Sequence, residues 1–160
     1  MFPYSDASVH HRTFPYVNAG LIVISVLVFL YEMALGGGGT LTGSGGLQLD
    51  LFFFKWGFIA QELTSGEPFE RLNTRFGVED IDTPVHTVFT IFSCMFIHGG
   101  FMHLGGNMLY LWIFGNNIED VMGHGRFIVF YLVCGVAAVF AQALPDPEST
   151  IPMIGASGAI

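Results

Sequence analysis

The stretch VNAGLIVISVLVFLYEMAL, from Val17 to Leu35, decides the fold class of this chain. It is apolar over about the 20 residues that a helix needs to cross the hydrocarbon core of a bilayer. A cleaved signal peptide is the alternative, but the apolar part of a signal peptide covers only about 7–15 residues and follows a basic leader. We therefore predict a retained first transmembrane helix over residues 17–35.

The composition of the whole chain agrees with a membrane protein. Hydrophobic residues make up 52% of the chain and charged residues only 11%, whereas soluble domains carry about 25% charged residues. With so few charged residues, a surface that shares the 17 phenylalanines would be apolar enough to aggregate in water. The net charge of −8 and the five Lys and Arg exclude a basic surface for nucleic acid. We predict an all-α, polytopic protein whose main surroundings are the lipid bilayer.

Positive charges near the apolar stretches predict the orientation of the chain. Arg12 precedes the first helix and Arg126 precedes a later apolar stretch. Because Lys and Arg accumulate on the cytoplasmic side of membranes, both positions favour a cytoplasmic N-terminus. We expect a cytoplasmic segment over residues 1–16 and a multi-pass protein of a plasma or inner membrane.

Residues 36–100 are predicted to form a long extracytoplasmic loop that is partly embedded in the membrane. The loop begins with the stretch GGGGTLTGSGG, residues 36–46, whose composition is typical of a flexible connector. Aromatic rings beside Lys55 suit the headgroup boundary of a bilayer, so we expect an interfacial helix over residues 47–63.

The rest of this loop is of two kinds. Residues 62–84 are acidic and polar, which predicts an exposed segment. The apolar stretch VHTVFTIFSCMFI, Val85 to Ile97, is too short to span a bilayer. It either re-enters the membrane or lies buried against other helices.

Residues 101–160 contain two further apolar stretches and the beginning of another. FMHLGGNMLYLWIFGNNI, Phe101 to Ile118, and RFIVFYLVCGVAAVFAQAL, Arg126 to Leu144, predict a second and a third transmembrane helix. A fourth helix is predicted to begin at Ser157. The third helix contains small residues that let a neighbouring helix approach closely, namely Gly135, Ala137 and Ala138.

Two polar residues lie in the first turns of the second helix. His103 and Asn107 are four residues apart, so they share one face of a helix. A polar pair in lipid either bonds neighbouring helices or marks a functional interior. Gly105 and Gly106 weaken the same helix, and we expect them to allow close approach of another backbone, such as the turn that carries Ser157.

Ser157 lies in the stretch GASG, between Gly155 and Gly158. A hydrolase elbow needs a glycine where Ala159 stands and a strand before the serine, so that fold is poorly supported. Two interpretations remain open. Ser157 is either an ordinary helix N-cap or a nucleophile beside backbone N–H groups that could bind an oxyanion.

No metal or cofactor is predicted. His98 and His103 lack the H-E-x-x-H spacing of a zinc protease, and neither Cys94 nor Cys134 stands at ligand spacing. Both cysteines lie in apolar stretches, and we expect buried free thiols.

Taken together, FIHGGFMHLGGNMLYLWIFGNNIEDVMGHGRFIVFYLVCGVAA and the later GASGAI resemble the rhomboid intramembrane serine proteases. The matching elements are a histidine before Gly-Gly, a second histidine five residues later, and an asparagine four residues beyond that. A Phe-Gly pair, an acidic residue and a Gly-x-Gly turn follow before the serine motif. The resemblance covers residues 85–160.

The resemblance implies a bundle of helices that cleaves transmembrane segments of other proteins. Ser157 would be the nucleophile, and Asn107 and His103 would bind the oxyanion together with the backbone N–H of Ser157. Four further residues would have structural roles near the site: His98, Gly155, Gly158 and Glu119.

Two features depart from the family pattern. Phe89 and Thr90 stand where many members carry Trp-Arg, so the loop must be anchored differently. The family also takes its general base from a histidine after the serine, and no histidine follows His124 in this sequence. The only lysine, Lys55, is predicted to be interfacial and is a poor substitute.

We therefore expect an incomplete catalytic core, the N-terminal part of a longer enzyme, which is inactive alone. A catalytically inactive rhomboid-like protein that binds transmembrane clients is the alternative. A channel or transporter would show internal repeats or more intramembrane charges, and the sequence has neither.

Overall fold

The computed structural model describes residues 13–43, 45–74, 77–81 and 86–160. Residues 1–12, including the Arg12 used to predict orientation, lie outside the described residues, as does Val85. In the described ranges the protein is built from helices and one short β-hairpin, so the predicted all-α class is confirmed.

The first helix, α1, spans Tyr16–Gly36 and continues as a 3-10 helix over Gly37–Thr42. Pro15 precedes it, where a missing N–H costs nothing, and its interior contains no proline. Together, Tyr16–Thr42 is long and apolar enough to cross a membrane.

The prediction of a flexible connector is wrong for residues 37–42. Thr40 is fully buried, and its hydroxyl donates a hydrogen bond of 3.2 Å to the carbonyl oxygen of Glu32. A Cβ at Gly36 would lie only 2.9 Å from the Cα of Gly45. The glycines thus allow the chain to turn tightly back against the end of α1, and this contact orders a composition that is otherwise typical of a linker.

Two short helices follow, α2 over Leu47–Trp56 and α3 over Ala60–Ser65. The strands β1, Arg71–Thr74, and β2, Gly77–Asp80, then pair antiparallel with Arg71 opposite Asp80. The sequence predicts only an exposed loop here, and four-residue strands with a polar composition give no clear alternation of apolar residues.

The next helix, α4, spans Thr87–Ser93 and ends in a 3-10 turn over Cys94–Phe96. The chain bends at residues 97–100, and a helix then runs from Phe101 to Met122. Its parts are α5 over Phe101–Tyr110, a π-helical turn over Leu111–Gly115, and α6 over Asn116–Met122.

The π-helical turn has a local cause. The Asn18 side chain of α1 donates a hydrogen bond of 2.9 Å to the carbonyl oxygen of Leu111. It also occupies the space where a Cβ on Gly115 would stand. A side chain that inserts into the backbone hydrogen bonds of a helix is a known cause of local distortion, and Asn18 does so where the helix departs from α geometry.

The last long helix, α7, spans His124–Ala143 and is also long and apolar enough to cross a membrane. The described residues therefore contain two such helices, or three if Thr87–Phe96 and Phe101–Met122, bent by 83°, form one span. These helices agree with a membrane protein, as the composition predicts.

The core lies between α1, α4, α5 and α7. Of the small residues predicted to allow close packing, Gly135 contacts Met95, and Ala138 lies where a Cβ on Gly158 would stand. Ala137, in contrast, is exposed. Both cysteines are free as predicted, but only Cys94 is buried, since Cys134 is partly exposed. The buried apolar residues at the centre include Leu21, Met95, Leu111, Phe127, Tyr131 and Val139.

Candidate active site

The turn that carries Ser157 is fixed to the rest of the fold by backbone hydrogen bonds. Met153 and Phe58 exchange two such bonds, of 2.7 and 3.0 Å. Two residues later, the N–H of Gly155 donates a bond of 2.8 Å to the carbonyl oxygen of Cys94. The approach to Ser157 is thereby held on one side by the loop before α3 and on the other by the end of α4.

Ser157 lies inside a single 3-10 turn, Ala156–Gly158, and is exposed. The residue in the N-cap position of this turn is Gly155, and no side chain caps it. The interpretation of Ser157 as a helix N-cap is therefore wrong. The hydroxyl is left accessible on a turn whose backbone is fixed.

Gly155 brings this turn against the two polar residues of α5. Its φ is +119°, and a Cβ there would lie 2.6 Å from both Cε1 and Nε2 of His103 and 3.8 Å from Nδ2 of Asn107. No other residue could occupy this position without displacing the histidine ring. We call residues 155–158 the serine turn. Three elements predicted from sequence thus meet at Gly155: this turn, His103 and Asn107.

Gly105 and Gly106 do not provide this contact. Both are exposed, and a Cβ on either would have nothing within 4 Å. The expectation that they allow approach of the serine turn is wrong because they lie on the outer side of α5. The glycine that allows the approach belongs to the turn itself.

The polar atoms beside Gly155 are donors. Asn107 is only 8% exposed, and its Nδ2 is buried without a hydrogen-bond partner within the described chain. Nδ1 of the half-buried His103 accepts a bond of 3.3 Å from the N–H of Gly99. In a neutral ring whose Nδ1 is an acceptor, Nε2 carries the proton. An unpaired buried donor costs about 1–3 kcal/mol, so its retention indicates a use.

His98 lies directly behind His103. It is fully buried, and the two rings meet edge to face with centroids 5.2 Å apart. Its backbone N–H donates a bond of 3.1 Å to a carboxylate oxygen of Glu32. Its Nδ1 is 3.1 Å from the carbonyl oxygen of Phe96, and its Nε2 has no partner in the described chain.

Glu119 lies far from the serine turn, so its predicted position near the site is wrong. It comes twelve positions after Asn107 along this helix, which corresponds to about 18 Å along the axis. Its carboxylate accepts hydrogen bonds from the N–H groups of Val17 (3.0 Å) and Asn18 (2.7 Å) and pairs with His124. It binds the start of α1 to the end of α6.

A cavity of about 600 Å³ opens beside the serine turn. Ser157 and Gly158 line it together with Phe58, Ser149 and Gln142. Its walls mix apolar side chains with polar groups. His103 and Asn107 are outside this lining and contact the turn at Gly155 instead.

No group of three His, Cys, Asp or Glu side chains in the described part of the chain could hold a metal ion. Sequence reasoning did not single out Glu32, which is fully buried in α1 and accepts the His98 N–H behind the site. The available signal was a carboxylate inside an apolar stretch, since such a residue marks a functional position by default.

Comparison with known proteins gives a family for this arrangement. The family model for the Rhomboid domain matches residues 85–160. RHOMBOID-like protein 5 of Arabidopsis thaliana is 34% identical over 70 residues, which is 44% of this chain and 23% of that protein. Rhomboid protease GluP of Bacillus subtilis is 41% identical over 64 residues, 40% of this chain and 12% of the relative.

Rhomboid protein 1, mitochondrial, of Saccharomyces cerevisiae is 35% identical over 75 residues, 44% of this chain and 22% of that protein. The chain thus spans less than a quarter of the length of each of these relatives. No solved structure matches it. The matched segment contains His98, and it also contains His103, Asn107 and the serine turn, which meet at Gly155. Residues 85–160 of this chain thus belong to the rhomboid family.

Proposed function

We propose that the protein is an intramembrane serine endopeptidase that cleaves transmembrane segments of other membrane proteins, with Ser157 as the nucleophile. One observation carries the proposal: the serine turn lies against His103 and Asn107 at Gly155, where any added Cβ would overlap the histidine ring. The name of the Bacillus subtilis relative, a rhomboid protease, supports the same activity.

In the proposed reaction Ser157 Oγ attacks the carbonyl carbon of the scissile peptide bond. The carbonyl oxygen becomes an oxyanion, which accepts hydrogen bonds from Asn107 Nδ2, from His103 Nε2 and from the backbone N–H of Ser157. Each preorganised donor of this kind stabilises a transition state by about 3–4 kcal/mol. The unpaired Nδ2 of Asn107 supports this role, since it is a buried donor that awaits an acceptor.

The reaction also needs a base that takes the proton from Ser157, because a serine hydroxyl is a weak nucleophile until it is deprotonated. In the family pattern that base is a histidine on a helix after the serine. His103 is assigned to the oxyanion, so the proposed activity belongs to a protein that supplies such a histidine. The base then gives its proton to the amide nitrogen, the peptide C–N bond breaks, and the amine leaves an acyl-enzyme behind. Water that reaches the cavity beside Ser157 hydrolyses this acyl-enzyme and restores the serine hydroxyl.

We further propose a multi-pass protein of a plasma or inner membrane with a cytoplasmic N-terminus. The helices Tyr16–Thr42 and His124–Ala143 support several crossings by their length and composition. Segments 13–16 and 124–126 would then lie on the cytoplasmic side. The serine turn and the loop that contains α2 and α3 would lie toward the opposite face, where substrates enter.

The test is cleavage of a transmembrane reporter by the full-length protein in liposomes. Ser157→Ala should abolish cleavage and labelling by a fluorophosphonate while expression stays unchanged. Ser149→Ala is the matched control, because Ser149 lines the same cavity, and it should retain both. Cleavage by Ser157→Ala at the wild-type rate would overturn the proposal.

The same experiment separates the alternative of an inactive client-binding protein. That alternative predicts no cleavage and no fluorophosphonate labelling of the wild type, together with reporter binding that Ser157→Ala leaves unchanged. If the protein is a protease, the wild type and Ser149→Ala should be labelled and Ser157→Ala should not.

A further inference from the structure

Glu32 is a carboxylate buried inside the first membrane-length helix. It is fully buried on α1, whereas its neighbours Leu30 and Tyr31 are more than half exposed. One of its oxygens accepts the His98 N–H at 3.1 Å, and the other, Oε2, has no partner within the described chain. A carboxylate at membrane depth is costly, so its presence calls for a function.

The N–H that Glu32 binds is one peptide unit away from the N–H that binds His103, a residue of the candidate oxyanion site. His98 donates its N–H to Glu32, and the next residue, Gly99, donates its N–H to Nδ1 of His103. Successive N–H groups of the same loop are therefore bound by a residue of α1 and by a residue of the site. A shift of the first bond moves the second.

The end of α1 holds this loop at a second point. The Thr40 hydroxyl binds the carbonyl oxygen of Glu32 itself. A Cβ at Gly100 would lie 3.4 Å from the carbonyl oxygen of Leu41, and one at Gly43 only 2.6 Å from that of Gly99. The backbone of residues 41–43, which follows Glu32 in the chain, thus packs directly on residues 99–100 and leaves the loop little freedom once the carboxylate bond is made.

The bond from Gly99 decides where the proton of His103 resides. Nδ1 can accept an N–H only when it carries no proton, so the neutral ring is protonated on Nε2. That nitrogen is the ring atom beside Gly155. If the Gly99 N–H moved away, Nδ1 could take the proton and Nε2 would cease to be a donor.

We propose that Glu32 is a positioning residue for the peptidase: its carboxylate fixes the N–H of the Ile97–His98 peptide, and through the adjoining Gly99 N–H the orientation and Nε2–H tautomer of His103. This proposal rests on the proposed function for its effect on activity. Its effect on the His103 ring is independent of activity. Glu32 touches neither the substrate nor the serine turn.

The kinetic test uses the full-length protein with Glu32→Gln and Glu32→Leu. Gln keeps a side-chain oxygen for the His98 N–H, so kcat should stay within about threefold of the wild type. Leu removes the acceptor, and the displaced donor should lower kcat by about 10–100-fold with KM changed less than about twofold. Ser25→Ala is the control, since Ser25 is also fully buried on α1 and its hydroxyl has no partner within the described chain.

A second variant separates positioning from general destabilisation. In the background of His103→Ala, Glu32→Leu should lower kcat by no more than about twofold further, because its effect passes through the missing ring. An undiminished 10–100-fold loss in that background, or equal losses for Gln and Leu, would overturn the proposal.

The ring itself gives a readout that does not depend on peptidase activity. Nitrogen-15 NMR of labelled histidine, with His103→Ala to assign the signal, should find His103 of the wild type protonated on Nε2. A wild-type ring protonated on Nδ1 overturns the proposal even if Ser157→Ala abolishes cleavage. Conversely, cleavage by Ser157→Ala overturns the proposed function, and the same spectrum of Glu32→Leu then decides the role of Glu32: an Nε2–H ring unchanged from the wild type would overturn that role.

Discussion

The two ends of helix α1 each contact a buried carboxylate, and the two carboxylates differ in how fully they are bonded. At the start of the helix, Glu119 reaches in from α6 and binds two backbone N–H groups and His124. At the end, Glu32 reaches out of α1 to a single N–H, that of His98, and its second oxygen has no partner in the described chain.

This difference separates stability from function. The hydrogen bonds of a fully bonded buried carboxylate join two elements and offset much of its desolvation free energy. A partly bonded carboxylate keeps more of that unfavourable free energy, which function explains. We therefore expect substitutions at the start of α1 to lower stability and substitutions around its end to lower activity.

The largest effect on stability is expected at the start. Glu119→Ala leaves the N–H groups of Val17 and Asn18 without an acceptor, and each such loss costs about 1–3 kcal/mol. The free energy of unfolding should fall by about 2–4 kcal/mol, measured by denaturation in detergent. Glu148→Ala, which changes an exposed glutamate, should leave it within about 0.5 kcal/mol. An unchanged stability for Glu119→Ala would end the distinction between the two ends.

The largest effect on activity is expected at the serine turn. Gly155→Ala places a Cβ 2.6 Å from the His103 ring, so ring and turn must separate and fluorophosphonate labelling should slow by about 10²-fold. Gly123→Ala is the matched control, because Gly123 has a similar backbone, φ 81° and ψ 155°, in open space. Equal slowing by both variants would attribute the effect to backbone strain and contradict the contact.

A smaller loss of stability is expected from Asn18→Ala. It removes the donor from the carbonyl oxygen of Leu111, which should cost about 1–2 kcal/mol of unfolding free energy. Labelling of Ser157 should be nearly unchanged, since this contact belongs to the start of α1. A loss of labelling without a loss of stability would show that the π-turn affects the site. It would contradict the assignment of this end of α1 to stability.

The smallest effect is expected from Gly105→Ala. The site is exposed, with nothing near the added Cβ, so unfolding free energy should be unchanged or rise by up to about 1 kcal/mol. Labelling should match the wild type. A loss of labelling as large as that of Gly155→Ala would mean that Gly105 of α5 takes part in the close contact after all.

The sequence predicts the elements of this fold better than their contacts. The long apolar stretches beginning at Val17 and Arg126 identify α1 and α7, because membrane-length helices are recognised from hydrophobicity alone. The ordered turn over Gly37–Thr42 was not predictable in this way. It depends on the buried hydroxyl of Thr40 and on close approach of glycines, and both are tertiary contacts.

The candidate site follows the same rule. His103, Asn107 and Ser157 are identified by residue type and by the spacing of a known family, and the structure places the first two against the turn of the third. The sequence predicts that Gly105 and Gly106 of α5 allow this contact, whereas in the structure Gly155 allows it. Packing between segments that are distant in the chain decides which face of α5 is buried. It also brings the Glu32 carboxylate to the His98 N–H.

The most direct measurement is a structure of the full-length protein with a phosphonate bonded to Ser157 Oγ. The account predicts a phosphonate oxygen about 3 Å from both Nδ2 of Asn107 and Nε2 of His103. A covalent adduct whose oxygens all point away from these two nitrogens, with Gly155 separated from the His103 ring, would contradict it.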